Sequence, residues 1–550
     1  MKLNRRPNME VWAAGLCAAL AMAGTVAAPA VHGQTPSFRV ETRVVEVPVV
    51  VRDKKTGRAV EGLKAEDFVL LEEGKPQKVE FFGVHQGNSS VQAPARTGTR
   101  GAAEPLVYRN RRDESGEATP VVAVLVDGFN ARFEDQYYAS QAAAKVIEAR
   151  ERRALWSIYF LGRRGLRVIH DYSTDTESVV ERLLRLRSAG DSVEGLGAEA
   201  GDWRPYGVSD LERKAGENTR RFEEELRARI TLGALGDIGR HLSALPGRKS
   251  LIWLTAGLSL SSIVDPMKLG LLSFWNQTLD TLNDANVAVY SIDSEGVRTA
   301  RGFRAEVVAS RTVNLKGGLG SPIGDMQIMA ALADETGGRW FANSNDLVKG
   351  VDESLADSQV FYRLAYRATR TKWDGGKVDL EVKIPGRKDI EIRHRRSYIA
   401  RAIEPLGEKA RDRVLADAII SPLEAVEIGV TARLTPIEGS EESMLRLTLD
   451  PGSVTLAESG GRYVGRMDIR WVQATVESKV VDDSTDEVNL NLALAEAERT
   501  YGEGFNYQKR LRIQPDTRTL KIAFCDHVTG RVGSLRVEIP EAAKAAGQGR

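Results

Sequence analysis

Beyond its first 33 residues the chain carries five histidines: His85, His170, His241, His394 and His527. A catalytic reading needs one of them beside an acid or a nucleophile. His170 is followed directly by an acid, Asp171. The pair falls at the end of a strand-like run, where successive side chains point to opposite faces. No G-x-S-x-G elbow and no H-E-x-x-H motif occurs. The run "PGRKS" (246–250) lacks the Gly-Lys junction and upstream glycine of a phosphate loop. It reads as a helix stop feeding a strand. "GGLGSPIG" (317–324) could cradle an anion before a helix at Asp325, but its composition is that of a loop. Four oxygen-bearing side chains are better placed. Asp127 and Asn130 close "VVAVLVDGFN", Thr255 closes "KSLIWLT", and Asp293 closes "VAVYSID". If these runs are strands of one sheet, all four lie at its carboxyl edge, where open α/β folds bind ligands. Trp203 and Tyr206 lie in a polar, Gly-rich segment, 188–208. Aromatics in such a loop can act as partner-binding anchors or tuck back onto the domain.

The elements that must position these residues follow from periodicity. Residues 34–86 read as an N-terminal β module, with Val45, Val47, Val49 and Val51 alternating. Residues 87–119, rich in Gly, Ser, Pro, Ala and Arg, have the composition of a linker. From 120 to 357 strands and helices alternate, which predicts a mainly parallel sheet covered on both faces. The helix after Asn130 is marked by Phe133, Tyr137 and Val146. A long helix over 209–245 is marked by Phe222, Leu226, Ile230, Leu235, Ile238, Leu242 and Leu245. Trp253, Trp275 and Trp340 are expected in the core of this domain. Residues 358–400 return to β, 401–423 hold a helical connector, and 424–541 alternate as a C-terminal sandwich before a tail, 542–550. Neither β piece flanking the α/β segment has enough strands for a secure core. Residues 358–400 are therefore expected to pack with the N-terminal module, leaving the α/β domain inserted between them. "D-x-x-T-G" recurs at Asp53–Gly57 and Asp526–Gly530, which hints at two similar hairpins.

At 550 residues with 42% hydrophobic and 28% charged residues, the chain is expected to fold as two to four ordinary globular domains. Lys2, Arg5 and Arg6, the apolar run 11–28 and Val31-His32-Gly33 read as a secretory signal over 1–33. This predicts export to the periplasm or exterior, with no membrane span left after cleavage. Cleavage removes Lys2, Arg5, Arg6 and Glu10, moving the formal charge from +1 to −1. A near-neutral chain has no bulk attraction for nucleic acid. Cys17 lies in the signal, so Cys525 is left without an internal disulfide partner.

The order of "VVAVLVDGFN", "LSALPGRKSLIWLTAGLS" and "VAVYSIDSEGV" resembles the von Willebrand factor type A fold. With the flanking β segments, the chain is similar to secreted type A-related proteins of acidobacteria over roughly residues 38–400. The resemblance implies a Rossmann-like type A domain flanked by immunoglobulin-like β modules, and no established activity. In type A domains with an intact metal site, the first strand ends in D-x-S-x-S. A Thr from a later loop and an Asp after the fourth strand complete an oxygen site for Mg²⁺ or Mn²⁺, leaving a position open to a partner's carboxylate. Asp127 matches the first ligand. Phe129 and Ala131 occupy the Ser positions, Ala256 occupies the Asp position, and the Thr has no counterpart. The resemblance thus implies a degenerate site, with a weak Mg²⁺ or Mn²⁺ site on Asp127 and Asn130 as the surviving option. The expected function is non-enzymatic protein binding or adhesion, through a protein or cell-envelope ligand recognised near Asp127, Asn130, Thr255, Asp293 and 188–208. The alternatives are a structural envelope scaffold and, less directly, a secreted hydrolase.

Overall fold

The computed structural model describes residues 44–86, 107–111, 120–131, 133–149, 154–186, 210–245, 247–256, 269–294, 325–341, 347–400, 405–437, 440 and 442–539. The expected signal, segment 188–208 with Trp203 and Tyr206, the 317–324 run and the tail lie outside the described residues.

The chain starts in a β module with β1 (Val44–Asp53), β2 (Val69–Glu72), β3 (Lys75–Gln77) and β4 (Phe81–Gln86). Val45, Val47, Val49 and Val51 of β1 share one core with Phe68 and Leu70. Val50 is buried as well, so β1 is covered on both faces and strict alternation breaks down. The turn after β1 is tied by Asp53, whose Oδ1 accepts from Thr56 N (2.8 Å) and Thr56 Oγ1 (2.9 Å). Gly57 closes it at φ +68°. Asp526 and Gly530 repeat this arrangement, with Thr529 donating from N and Oγ1 to Asp526 Oδ2.

A short strand, β5 (Val107–Arg109), precedes the α/β segment. That segment contains β6 (Val121–Asp127), α1 (Phe133–Ala149), β7 (Leu155–Gly162), β8 (Gly165–Ser173), α2 (Thr176–Leu184), α3 (Asp210–Leu242), β9 (Lys249–Thr255), α4 (Leu269–Asp284), β10 (Val287–Asp293), α5 (Asp325–Glu335), β11 (Arg339–Phe341) and α6 (Leu347–Gln359). Its six-stranded sheet runs β11-β10-β9-β6-β7-β8. All neighbours are parallel except β7 and β8, which form an antiparallel hairpin. β6, β7, β9 and β10 are buried at every position, because helices cover both faces and leave no side for polar residues. One core joins the sheet to α3, α4 and α5 through Leu235, Trp275 and Leu332; the other joins it to α1, α2 and α6 through Ile147, Val179 and Val351. Trp253 is buried in the first core, with Trp340 packed at its margin.

Two helices differ from their sequence pattern. α1 packs through Ala139, Ala142, Ala143, Val146 and Ile147, while Tyr137 is exposed. Small side chains let α1 approach the sheet closely, and the large Tyr falls outside that face. Among the α3 side chains described, Phe222 and Leu226 are exposed and Ala228 is buried. Apolar spacing marks a helix face but not where a neighbour begins to cover it.

β12 (Val360–Arg367) follows α6 directly, and β13 (Gly376–Lys383), β14 (Ile390–Arg393) and β15 (Ser397–Ala400) come next. β12 pairs antiparallel with β1 and β4, with Val47 opposite Leu364. β14 pairs with β1, and β13 with β2 and β15. The two four-stranded sheets, β14-β1-β12-β4 and β15-β13-β2-β3, share a core that includes Val47, Leu70, Tyr362 and Leu380. The α/β segment thus leaves this module after β4 and re-enters it at β12.

A buried polar network fixes that re-entry. Asp357 on α6 accepts from Arg52 Nε (2.7 Å), Arg393 Nη2 (3.1 Å) and Tyr290 Oη (2.9 Å). Arg393 Nη1 makes an off-line ion-pair contact with the same carboxylate at 2.7 Å. Arg248 donates to Tyr290 Oη (3.0 Å) and to the Gly337 carbonyl (2.6 Å).

The last part of the chain holds α7 (Glu408–Ile420), β16 (Val430–Pro436), β17 (Glu442–Leu449), β18 (Ala457–Ser459), β19 (Arg462–Ala474), β20 (Val480–Leu492), α8 (Leu494–Glu503), β21 (Phe505–Arg512), β22 (Thr519–Asp526) and β23 (Val532–Glu538). One sheet runs β21-β17-β16-β5; the other runs β18-β19-β22-β23, with β20 also on β19. Their inner faces share Leu445, Leu447, Met467, Ile469, Trp471, Ile522, Phe524 and Val537. The edge strand β5 comes from the segment whose composition reads as a linker, and the linker reading is corrected at Val107–Arg111. Tyr108 pairs opposite Ala432. Asn110 Nδ2 donates to the carbonyls of Ala425 (2.9 Å) and Ile428 (2.8 Å), and its Oδ1 accepts from Val430 N (2.8 Å). Arg111 donates to the carbonyls of Val426 and Glu427 at 2.7 Å each. These partners lie more than 300 residues away, beyond the reach of local composition.

Candidate functional site at the sheet's switch point

The α/β sheet reverses direction between β6 and β9. The chain passes from β6 to β7 on one side and later returns to β9 on the other. Such a switch point, at the carboxyl ends of the strands, is where open α/β folds bind ligands. Asp127 ends β6 and Thr255 ends β9. Asp293 ends β10 directly beside Thr255 in the parallel register. Three of the residues singled out from sequence therefore share this edge, and Asn130 joins them from the turn after β6.

Asp127 is fully buried. Its Oδ1 accepts from the backbone N–H groups of Phe129 (3.2 Å) and Asn130 (3.0 Å). Its Oδ2 accepts from Asn130 Nδ2 (2.9 Å), Trp253 Nε1 (3.0 Å) and Thr255 Oγ1 (2.9 Å). Asn130 Nδ2 also donates to Thr231 Oγ1 on α3 (2.9 Å). Gly128 allows the turn to sit against β7, since a Cβ there would lie 2.5 Å from the Phe160 ring. Burial pushes the Asp127 carboxyl up; the hydrogen bonds from Asn130, Thr255 and Trp253 oppose that shift.

These residues do not fit Mg²⁺ or Mn²⁺. A carboxylate offers about four lone-pair sites, and five donors occupy those of Asp127. Asn130 turns its amide N–H, not its oxygen, toward the carboxylate. A hard cation needs about six oxygen ligands, and no group of three or more His, Cys, Asp or Glu side chains suited to a metal occurs among the described residues. The expected metal site on Asp127 and Asn130 is corrected to a hydrogen-bonded hub that closes the sheet edge. Thr255 and Asp293, expected to contact a partner, are buried at 0% and 4% exposure. The sequence reading placed Trp253 in the core as an apolar residue and missed its indole N–H. Thr231 carries no local signal, because its partner lies 101 residues away.

The histidines sort by their partners. Asp171 reaches His241 on α3. His394 is held well below the usual imidazole range, at about 4, by burial and then by Arg396. His85 is lowered by burial and then by Arg363, and stacks on Phe361. His527 Nε2 lies 2.8 Å from Asp468 Oδ1, outside hydrogen-bond alignment. Asp468 stands opposite Cys525 in the β19–β22 ladder. This brings Cys, His and Asp together, a set that the sequence reading missed because Asp468 comes from another strand. The thiol is pushed up to about 12 by burial and then by Asp468, so it stays protonated near neutral pH, and the thiolate is the nucleophilic form. Arg411 of α7 also holds Asp468, Nε to Oδ2 at 2.7 Å, and the cluster works as a helix-docking contact.

A cavity of about 210 Å³ lies between the α/β segment and the sandwich, with Asp171, His241, Glu424, Lys521 and Arg536 in its wall. No helix among the described residues is long and apolar enough to cross a membrane. No family model matches the chain, and no curated protein shows significant similarity to it.

Proposed function

We propose that this chain is an exported, non-enzymatic binding or adhesion protein. In this reading its α/β segment is a von Willebrand factor type A-like domain set within an immunoglobulin-like β module, with a second such sandwich behind it. It recognises a protein or cell-envelope partner without a bridging metal. The observation that carries the reading is the Asp127 hub at the switch point. Its hydrogen bonds hold β6, β9 and α3 in one arrangement, and a rigid framework is what partner-contacting segments need. The segments that follow β9 and β10 leave from this edge.

The test compares capture of envelope proteins by the wild type and by a variant with residues 257–268 replaced by a Gly-Ser stretch of equal length. Capture that survives chelation and is lost in the variant supports the reading. Capture that requires Mg²⁺, or that ignores the replacement, defeats it. A second reading, a structural envelope scaffold, is favoured by β5, which ties the sandwich to the chain ahead of the α/β segment. It expects no capture by this edge.

A further inference from the structure

We propose that the junction between the α/β segment and the C-terminal sandwich is a proton-operated latch centred on His241, engaged when the imidazole carries two protons and released when it carries one.

His241 lies at the C-terminal end of α3 with 8% of its surface exposed. Its Nδ1 is 3.0 Å from the backbone carbonyl oxygen of Glu424. Its Nε2 is 3.2 Å from Asp171 Oδ1 on β8. A carbonyl accepts, and so does an ionised carboxylate. A neutral imidazole has one N–H, so it satisfies one of these partners and turns a lone pair toward the other. The imidazolium satisfies both. His394 shows the opposite arrangement: its Nδ1 faces the Arg395 carbonyl (2.7 Å), while its Nε2 accepts from Val382 N (3.1 Å). One donor and one acceptor suit the neutral ring, and one of these two buried histidines is therefore built for each charge state.

The surroundings favour a cation at His241. Tyr172 stacks on the ring at 4.9 Å and donates from its hydroxyl to the His241 carbonyl at 2.8 Å. Tyr159 meets the ring edge-on at 6.3 Å. Aromatic faces and a helix C-terminus both attract positive charge. The charged groups around the ring come from every neighbouring element. Asp171 comes from β8; Asp237 and Arg240, which pair with each other, come from α3. Asp417 comes from α7, Glu424 from the strand-like connection, and Lys521 and Arg536 from the sandwich. Lys521 is engaged with the carbonyls of Ile419 (2.6 Å) and Ser421 (3.2 Å).

The contact crosses the junction. Glu424 Oε1 accepts from Arg536 N on β23 (2.8 Å), and Ser421 Oγ donates to Asp237 Oδ2 on α3 (3.2 Å). A proton on His241 therefore secures α3 and β8 to the segment that anchors β23. Burial raises the carboxyls of Glu424 and Asp417, so these neighbours also gain protons more readily when docked. The imidazolium meets both acceptors and the neutral ring meets one, so the docking contact strengthens as pH falls and weakens as pH rises.

Hydrogen–deuterium exchange on the full chain at pH 5.5 to 7.5, corrected for intrinsic rates, reads the latch. The reporters are Arg536 N, bonded to Glu424, and Ala425 N, bonded to Ser534 Oγ. Protection at both should fall by about tenfold per pH unit at most, the value for one linked proton. In His241→Gln, neutral throughout, with donors at the amide nitrogen and an acceptor at the amide oxygen, that dependence should disappear. Asp171, 40% exposed, allows a milder change: Asp171→Asn should move the midpoint to lower pH. Equal pH dependence in wild type and His241→Gln overturns the proposal, as does a ring with a single N–H by ¹⁵N spectroscopy at pH 5.5. Should His241→Gln fail to fold, an unmoved midpoint in Asp171→Asn overturns it.

Discussion

Asp127 shows how a residue type and its job can separate. A carboxylate at the end of a buried strand invites a cation, yet here each oxygen is met by N–H or O–H donors. Removing it would leave the Trp253 indole and the Thr255 hydroxyl buried without their acceptor. We expect Asp127→Ala to lower unfolding free energy by about 3 kcal/mol, seen as a drop in the urea midpoint. Millimolar Mg²⁺ or Mn²⁺ should leave both midpoints unmoved; saturable binding lost in the variant would restore the metal reading. His394 gives the pH dependence at this scale. Its value falls from 6.5 unfolded to about 4 folded, so the folded chain binds fewer protons between them. Stability is therefore full above about 6.5 and declines as pH falls toward 4, by about 3 kcal/mol in total. Unfolding of His394→Gln across this range should lack that decline.

At the scale of elements, α6 matters through Asp357, where it turns directly into β12. Arg52 and Arg393 are buried around this one acid. Asp357→Asn would leave two guanidinium groups without their counter-charge, and breaking such a buried pair costs about 3–5 kcal/mol. We expect the loss to appear first as faster amide exchange in β1 and β14, the strands that carry Arg52 and Arg393; unchanged exchange there would rule out the network as the clamp. The alternating strands of the sandwich and the buried strands of the α/β sheet were legible from periodicity, because burial on one face or on both leaves that mark on composition. Exposed Phe222 and Tyr137 were not. Whether an apolar helical residue is covered depends on where the next element ends.

At the scale of the molecule, the described residues fall within one compact unit, and the threading explains why. The chain builds part of the β module, lays β5 on the sandwich, forms the α/β body, returns to the β module and then completes the sandwich. Neither β body is contiguous in sequence. Asn110 secures the first crossing with three hydrogen bonds to backbone groups. Asn110→Ala should lower protection along β16 by the equivalent of about 2 kcal/mol. Unaltered β16 exchange would show that β5 is dispensable.

The sequence by itself determined the α/β character of the central segment, the alternating strands of the sandwich though not β5 or α8, the paired D-x-x-T-G turns and the placing of Asp127, Thr255 and Asp293 at strand ends. Each follows from local pattern, since strand and helix periods and turn residues act over a few positions. The tertiary structure alone decided that Asp127 is saturated by donors, that Val107–Arg111 belongs to the sandwich, and that His241 faces two acceptors. Those outcomes depend on groups brought together from 70 to more than 300 residues away, and local periodicity carries no record of them.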